Sequence, residues 1–349
     1  MRIRGCEQGR RKYAFHGAKS SGLCDHRLPM IVRSSTGVGR KMIRLSNLRK
    51  EFDDTIAVHG LTLQIPQREI YGLIGPNGAG KTTTIRMACG LLVPTEGTIW
   101  ISDTDVLAEP EKAQQHIGYL SDFFSVYEDL RVWEYLDYFA HAYKMTKKEI
   151  GPRITEVILQ TGLEVKRDAL IRGLSRGMKQ RLGIARAIIH RPKVLLLDEP
   201  ASGLDPKARF DLRNLLRSLR DQGTTILISS HILTELEGFC TSIGIMEKGQ
   251  LIRSGRIEEV AALTSGRSFH LGWVGEFAST VRSVLEGCAH IANSHFDGHQ
   301  GTFQFAGGAD ELAAVLSSLV TAGVRVVSFY ETKQTVEDLY MKIARHQVM

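Results

Sequence analysis

The 349-residue sequence predicts an α/β fold with a largely parallel, buried sheet, followed by a small ferredoxin-like α+β domain. Three observations carry this. Val194–Pro200 (VLLLDEP) and Thr224–His231 (TTILISSH) are continuously apolar until they turn polar at their ends, as strands buried on both faces are. Stretches of helical pattern alternate with such strands, the arrangement of a parallel sheet covered by helices. After about residue 265 the order becomes β-α-β-β-α-β plus a last helix, which suits a ferredoxin-like unit.

Composition sets the bounds. The chain is 43% hydrophobic with 34 Gly and only 9 Pro, enough for one large or two medium globular domains. Its formal net charge is +7, but residues 1–41 hold ten Lys or Arg against Glu7 and Asp25. That is +8, so the other residues sum to about −1 and give no broad footprint for nucleic acid. Five cysteines without a C-x-x-C pair point to free thiols in a reducing cytosol. No apolar segment approaches the length of a membrane span.

The elements follow in chain order. Residues 1–41 are basic, rich in Arg, Gly and Ser, and without hydrophobic periodicity, so they are expected to be disordered. Three readings stand open for them: a translation-start artefact, since Met42 opens a well-patterned segment; an arm for anionic lipid or nucleic acid; and an organellar transit peptide. Ile43–Phe52 and Leu61–Ile65 alternate like strands. Tyr71–Gly75 (YGLIG) is a short apolar strand running into GPNGAGKTT at 75–83.

That string fits the phosphate-loop pattern G-x-x-x-x-G-K-[ST]. Gly75, Pro76, Asn77, Gly78, Ala79, Gly80, Lys81, Thr82 and Thr83 would turn backbone N–H groups toward one phosphate, assisted by the start of a helix at Thr83–Leu92. Lys81 can reach the β- and γ-phosphates of a nucleotide, and the Thr82 hydroxyl can ligate Mg²⁺. Gly97–Asp103 reads as a further strand. Residues 111–190 are mostly helical in pattern and hold many of the aromatics.

Asp198 and Glu199 end the next apolar run, 117 residues after Lys81. A solvated pair of carboxylates is one reading. Metal and water chemistry explains their joint delivery better, with Asp198 holding Mg²⁺ and Glu199 orienting or deprotonating an attacking water. His231 ends the following apolar run, where structural and catalytic roles are both open. In Leu174–Leu182 (LSRGMKQRL), Ser175 and Gly177 stand where a helix begins, and a plain N-cap is favoured over an anion site.

Taken together, GPNGAGKTT, LSRGMKQ, VLLLDEP, SGLD at 202–205 and His231 resemble, in order and spacing, an ABC-type ATPase over residues 42 to about 262. GYLSDFFSVYEDL and LSRGMKQRL look like the ATPase subunits of ABC-2 type exporters, the drug and natural-product efflux group. The resemblance implies a P-loop NTPase with a RecA-like parallel core, an antiparallel β subdomain, and a helical subdomain at about 123–190 that faces a transport subunit. It implies ATP and Mg²⁺ as cofactors. It also implies head-to-tail pairing with an identical or second ATPase subunit, and a separate integral-membrane ABC-2 type permease that keeps the chain at the cytoplasmic face of the membrane.

By the same resemblance, Ser175 and Gly177 contact the γ-phosphate held by the other protomer, and His231 touches the γ-phosphate. Ser202 and Asp205 lie in the loop that crosses the dimer interface. Phe52 stands where an aromatic stacks on adenine, a core role being the alternative. Asp122 takes the place of a glutamine that senses Mg²⁺ and links to the membrane subunit. The common LSGGQ reads LSRGM, with Arg176 and Met178 as departures. Residues 265–349 match the accessory domain of many such subunits, and TVEDLYMKIA resembles its closing helix.

Two rival classes compete with the exporter reading. Non-transport ABC ATPases of ribosomes or nucleic acid usually carry two cassettes or a long coiled-coil insertion; this chain has one phosphate loop and no sustained heptads. Intact Lys81, Thr82, Asp198, Glu199 and His231 argue against a degenerate regulatory binder.

Overall fold

The structure, a computed structural model, describes residues 40–332 apart from 233–234, 237, 258–259 and 261–266. The basic extension up to residue 39 and the closing helix expected at 335–346 lie outside the described residues.

β1 (Lys41–Phe52) and β2 (Thr55–Pro66) pair antiparallel, so the first strand starts one residue before the boundary drawn at Met42, and the second is longer than the expected Leu61–Ile65. β3 (Ile70–Ile74) is buried at all five positions and leads through the glycine-rich loop into α1 (Lys81–Ala88). β4 (Glu96–Ile101) and the two-residue β5 (Thr104–Asp105) complete an antiparallel sheet in the order β2-β1-β4-β5. The short α2 (Pro110–Gln114) follows, and then β6 (Ile117–Leu120).

β6 corrects the helical reading of 111–190. It is a four-residue strand that pairs parallel with β7 (Val194–Leu197). Four residues are too few for a periodicity to register; only the neighbouring strand supplies the hydrogen bonds that make IGYL extended. Between β6 and β7 lie α3 (Val132–Ala142), α4 (Lys147–Gln160) and α5 (Arg176–Ile188). After β7 come α6 (Pro206–Asp221), β8 (Thr225–Ser230), β9 (Ser242–Glu247) and β10 (Gln250–Arg256).

The central sheet runs β10-β9-β3-β8-β7-β6; only β10 is antiparallel to its neighbour. Its two faces feed two cores, because side chains alternate across a strand. Leu195 and Leu197 face the core built with α3 to α6, whereas Val194 and Leu196 face the core shared with α1 and the antiparallel sheet. Burying each such side chain contributes about 1.5–3 kcal/mol. On α6, Leu212, Leu215, Leu216 and Leu219 recur at helical spacing and are buried, which presses that helix to the sheet.

The C-terminal unit comprises β11 (Arg267–Val274), α7 (Ala278–Glu286), β12 (Ile291–Asp297), β13 (Gln300–Phe305), α8 (Ala309–Thr321) and β14 (Arg325–Thr332). Its antiparallel sheet order, β12-β13-β11-β14, is that of a ferredoxin-like unit. Phe269, Leu271, Trp273, Phe303 and Phe305 form a core of its own.

Candidate active site

Four segments converge at the carboxyl ends of the parallel strands, where ligands of open α/β sheets bind. β3 delivers the loop Gly75–Gly80, β6 delivers Asp122, β7 delivers Asp198 and Glu199, and β8 delivers Ser229 and His231. They border a cleft of about 480 Å³ lined by residues 77–83 together with Ala57, Asp122, Glu199, Ser202 and His231.

The loop closes onto α1 through Gly80, whose φ of 98° lies in the left-handed region. A Cβ there would also run into the Ala57 carbonyl, so the position needs glycine on both counts. Lys81 is buried; its Nζ donates to the Gly75 carbonyl at 2.7 Å and to the Pro76 carbonyl at 3.1 Å, inside the concavity of the loop. It also stands 3.5 Å from Glu199 Oε1. One cation is thereby held between the loop and the acid pair.

Asp198 is 1% exposed, with two hydroxyls bonded to one of its carboxylate oxygens. Its Oδ1 accepts from Thr82 Oγ1 at 3.1 Å and from Ser229 Oγ at 2.7 Å. Its own N–H donates to the Leu120 carbonyl at 2.9 Å, which locks β7 to β6 at this level. A buried carboxylate beside a threonine hydroxyl is a hard oxygen set of the kind Mg²⁺ takes.

Glu199 adopts φ 50°, rare for a residue with a side chain and costly unless its surroundings fix it. Ser229 Oγ fixes it by accepting the Glu199 N–H at 3.0 Å, and Ser202 N–H donates to the Glu199 carbonyl at 3.1 Å. Glu199 Oε2 accepts from His231 Nδ1 at 2.7 Å and from the His231 backbone N–H at 3.3 Å. The carboxylate therefore faces the cleft between a lysine and an imidazole. Asp122, exposed at the rim, has its pKa raised by partial desolvation first and then by the negative charges of Asp198 and Glu199.

The remaining expected residues fall elsewhere. Ser175 caps α5, accepting the Met178 N–H at 3.3 Å, and Gly177 packs against Ala208; neither lines the cleft. Asp205 caps α6 by accepting the Ala208 N–H at 2.8 Å. Phe52 is 44% exposed with Lys50 Nζ 5.0 Å from its ring centre, so it is not a core residue; nor does it line the cleft. Ser229 was missed by sequence reasoning. Its only signal was one of two adjacent serines at the polar end of TTILISSH, which does not by itself say that it bridges the two acids.

Residues 58–202 match the ABC transporter family. The chain is 31% identical over 309 residues to an uncharacterized ABC transporter ATP-binding protein of Bacillus subtilis, a match covering 86% of this chain and 99% of that protein.

The chain belongs to the ABC transporter ATP-binding proteins.

This ABC subunit is an ATPase, and it shares 35% identity over 219 residues with the Nod factor export ATP-binding protein I of Cupriavidus metallidurans, covering 63% of this chain and 72% of that one. Among solved structures it is similar to cbiO1 of Clostridium perfringens, part of the ABC transporter complex cbiONQ (29% identical, 64% of this chain and 91% of that one, TM-score 0.59). It is similar also to an ATP-binding cassette solved as a dimer in a post-hydrolysis state bound to ADP and Pi (26% identical, 62% of this chain and 99% of that one, TM-score 0.56). The cassette of this ABC ATPase is thus fixed in fold and activity. Among its described residues no helix is long and apolar enough to cross a membrane.

Proposed function

We propose that this ABC ATPase is the energising subunit of an ABC-2 type exporter: it pairs head to tail on binding ATP and drives a separate permease from the cytoplasmic face of the membrane. The observation that carries this reading is the separation of the phosphate loop from Ser175 and Gly177. The cleft is lined by Lys81, Glu199 and His231, whereas Ser175 and Gly177 at the α5 N-terminus are not among its lining residues. A second ATPase subunit supplies the missing helix end. The dimeric solved cassette supports pairing of two cassettes. The names of relatives, Nod factor export and a probable multidrug ABC transporter ATP-binding protein of Escherichia coli, of which this chain covers 42%, support export.

In this reading the backbone N–H groups of Gly75–Thr83 cradle the phosphates, and Lys81 shifts its donors from the Gly75 and Pro76 carbonyls to the β- and γ-phosphates. Thr82, Asp198 and Asp122 would hold Mg²⁺, whose charge would offset that of the phosphates. Glu199 accepts the proton of the attacking water, and His231, bonded to Glu199, contacts the γ-phosphate. Phe52 offers its exposed ring to the adenine. Ser202 and Asp205 lie at the interface between the paired subunits. ATP contacts both protomers and ADP lacks the γ-phosphate contacts, so hydrolysis shifts the pair toward separation.

The test is an affinity pull-down of Glu199→Gln from detergent-solubilised membranes with ATP present. A stoichiometric polytopic membrane protein is the expected result. Recovery with ribosomal proteins or nucleic acid alone would overturn the reading.

A further inference from the structure

Arg176 stands where the ABC pattern has a glycine, and its position in the fold gives it a task. It is the first residue of α5, directly after the Ser175 cap. Its Nη2 donates to the Ser202 carbonyl at 2.9 Å. The guanidinium lies against Gly203 so closely that a Cβ there would overlap it. Gly203 has φ 65°, so this loop position favours glycine for its backbone and for the approach of Arg176. One residue further on in α5, a Cβ on Gly177 would come within 3.2 Å of Ala208 Cβ, at the start of α6.

The loop under Arg176 is the one that carries Glu199. Ser202 N–H bonds the Glu199 carbonyl at 3.1 Å and Leu204 N–H bonds the Ala201 carbonyl at 3.3 Å, so residues 199–204 form one compact turn. Ser202 lines the nucleotide cleft, and Asp205 then caps α6. The first turn of α5 is therefore fastened to the turn that sets the backbone of Glu199, within one chain.

We propose that Arg176 is a positioning residue that makes the Ser175–Gly177 segment and the Glu199–Asp205 turn move as one body. The inference rests on the head-to-tail reading above. In such a pair, Ser175 and Gly177 sense the ATP in the partner's cleft while Glu199 acts in the chain's own cleft. Arg176 then couples the two clefts, and that coupling is a free energy shared by both sites. A planar guanidinium suits the task because it offers a charged donor to the carbonyl and a flat face to the glycine.

The experiment uses the full chain and measures steady-state ATP hydrolysis against ATP concentration for wild type, Arg176→Ala, Gly203→Ala and the double variant. Melting temperature serves as the folding control, and light scattering of each chain carrying Glu199→Gln reports pairing on ATP. Each single variant is expected to lose about tenfold in kcat and to drop its Hill coefficient toward one. The half-saturating ATP concentration should stay within about twofold. The double variant should lose less than the two single losses combined, because both remove the same contact while Gly203→Ala adds backbone strain of its own at φ 65°. Unchanged kcat and Hill coefficient in a chain that still pairs would overturn this inference alone. So would a raised half-saturating concentration with kcat preserved, which would make Arg176 an ATP contact. Failure of the Glu199→Gln chain to pair on ATP would overturn the dimer reading and this inference together.

Discussion

Ser229→Ala is the sharpest single perturbation of the site. The hydroxyl is fully buried and makes two bonds, donating to Asp198 at 2.7 Å and accepting the Glu199 N–H at 3.0 Å. The first is a hydrogen bond to a charged group, worth about 1.5–3 kcal/mol, and removing the second leaves a poorly solvated N–H at a cost of about 1–3 kcal/mol. Asp198 keeps its Thr82 partner, which offsets part of the loss. The net expectation is about 3 kcal/mol of stability, or a fall in melting temperature of roughly 6–12 °C for a domain of this size. The catalytic effect is separate. Glu199 at φ 50° is a strained conformer costing about 1–3 kcal/mol, and Ser229 is one of two groups that hold it. Released, the carboxylate drifts from the cleft, and kcat should fall about 10- to 100-fold. Thermal unfolding and steady-state ATP hydrolysis read the two effects. Ser229→Cys separates bonding from packing, because a thiol fills the space but donates weakly. It should behave like alanine. An alanine variant with the stability and turnover of the parent would refute the bridging role, and so would full recovery in the cysteine variant.

Lys81→Ala should weaken ATP binding about 10- to 100-fold through loss of charged contacts to phosphate, with equilibrium binding of a fluorescent ATP analogue as the check. Arg153 is buried, and its guanidinium serves the Ile188 and Ile189 carbonyls at the end of α5. Arg153→Ala should cost about 2–3 kcal/mol in chemical denaturation, because those carbonyls lose a charged donor at a helix C-terminus. His190 stacks on Tyr143 with ring centres 3.7 Å apart, and burial pushes its pKa down to about 4. The unfolded chain binds that proton from about pH 6.5, so the stability contribution is complete above that pH and is lost as pH falls toward 4. Urea midpoints between pH 7 and 4 should decline less steeply in His190→Phe; equal slopes would refute the assignment.

Much of the fold was legible because its signals are local. The runs VLLLDEP and TTILISSH became β7 and β8, buried at every strand position, since a strand covered on both faces has no polar face to show. The C-terminal order also held in its described part, from β11 to β14. β6 was hidden in a helical stretch because four residues carry no usable period. β9 and β10 were not read from the sequence. β9 is extended because it lies parallel to β3, and β10 because it pairs antiparallel with β9, contacts that no single segment encodes.

By itself the sequence determined the phosphate loop, because nine contiguous residues carry the whole requirement: glycines where backbone must approach a phosphate, a lysine, and a hydroxyl. It likewise determined that Asp198 and Glu199 emerge together from a buried strand, since apolar length and a polar end are local properties. Only the tertiary structure decided how these pieces are joined. Ser229 became the bridge between the acids because β7 and β8 pair in parallel register, Leu197 beside Ile228, which sets their polar ends side by side. Arg176 came to lie on Gly203 because α5 and the loop before α6 are packed together, 27 residues apart in the chain. The register of a sheet and the docking of a helix depend on every side chain between the two surfaces, and for that reason no motif contains them.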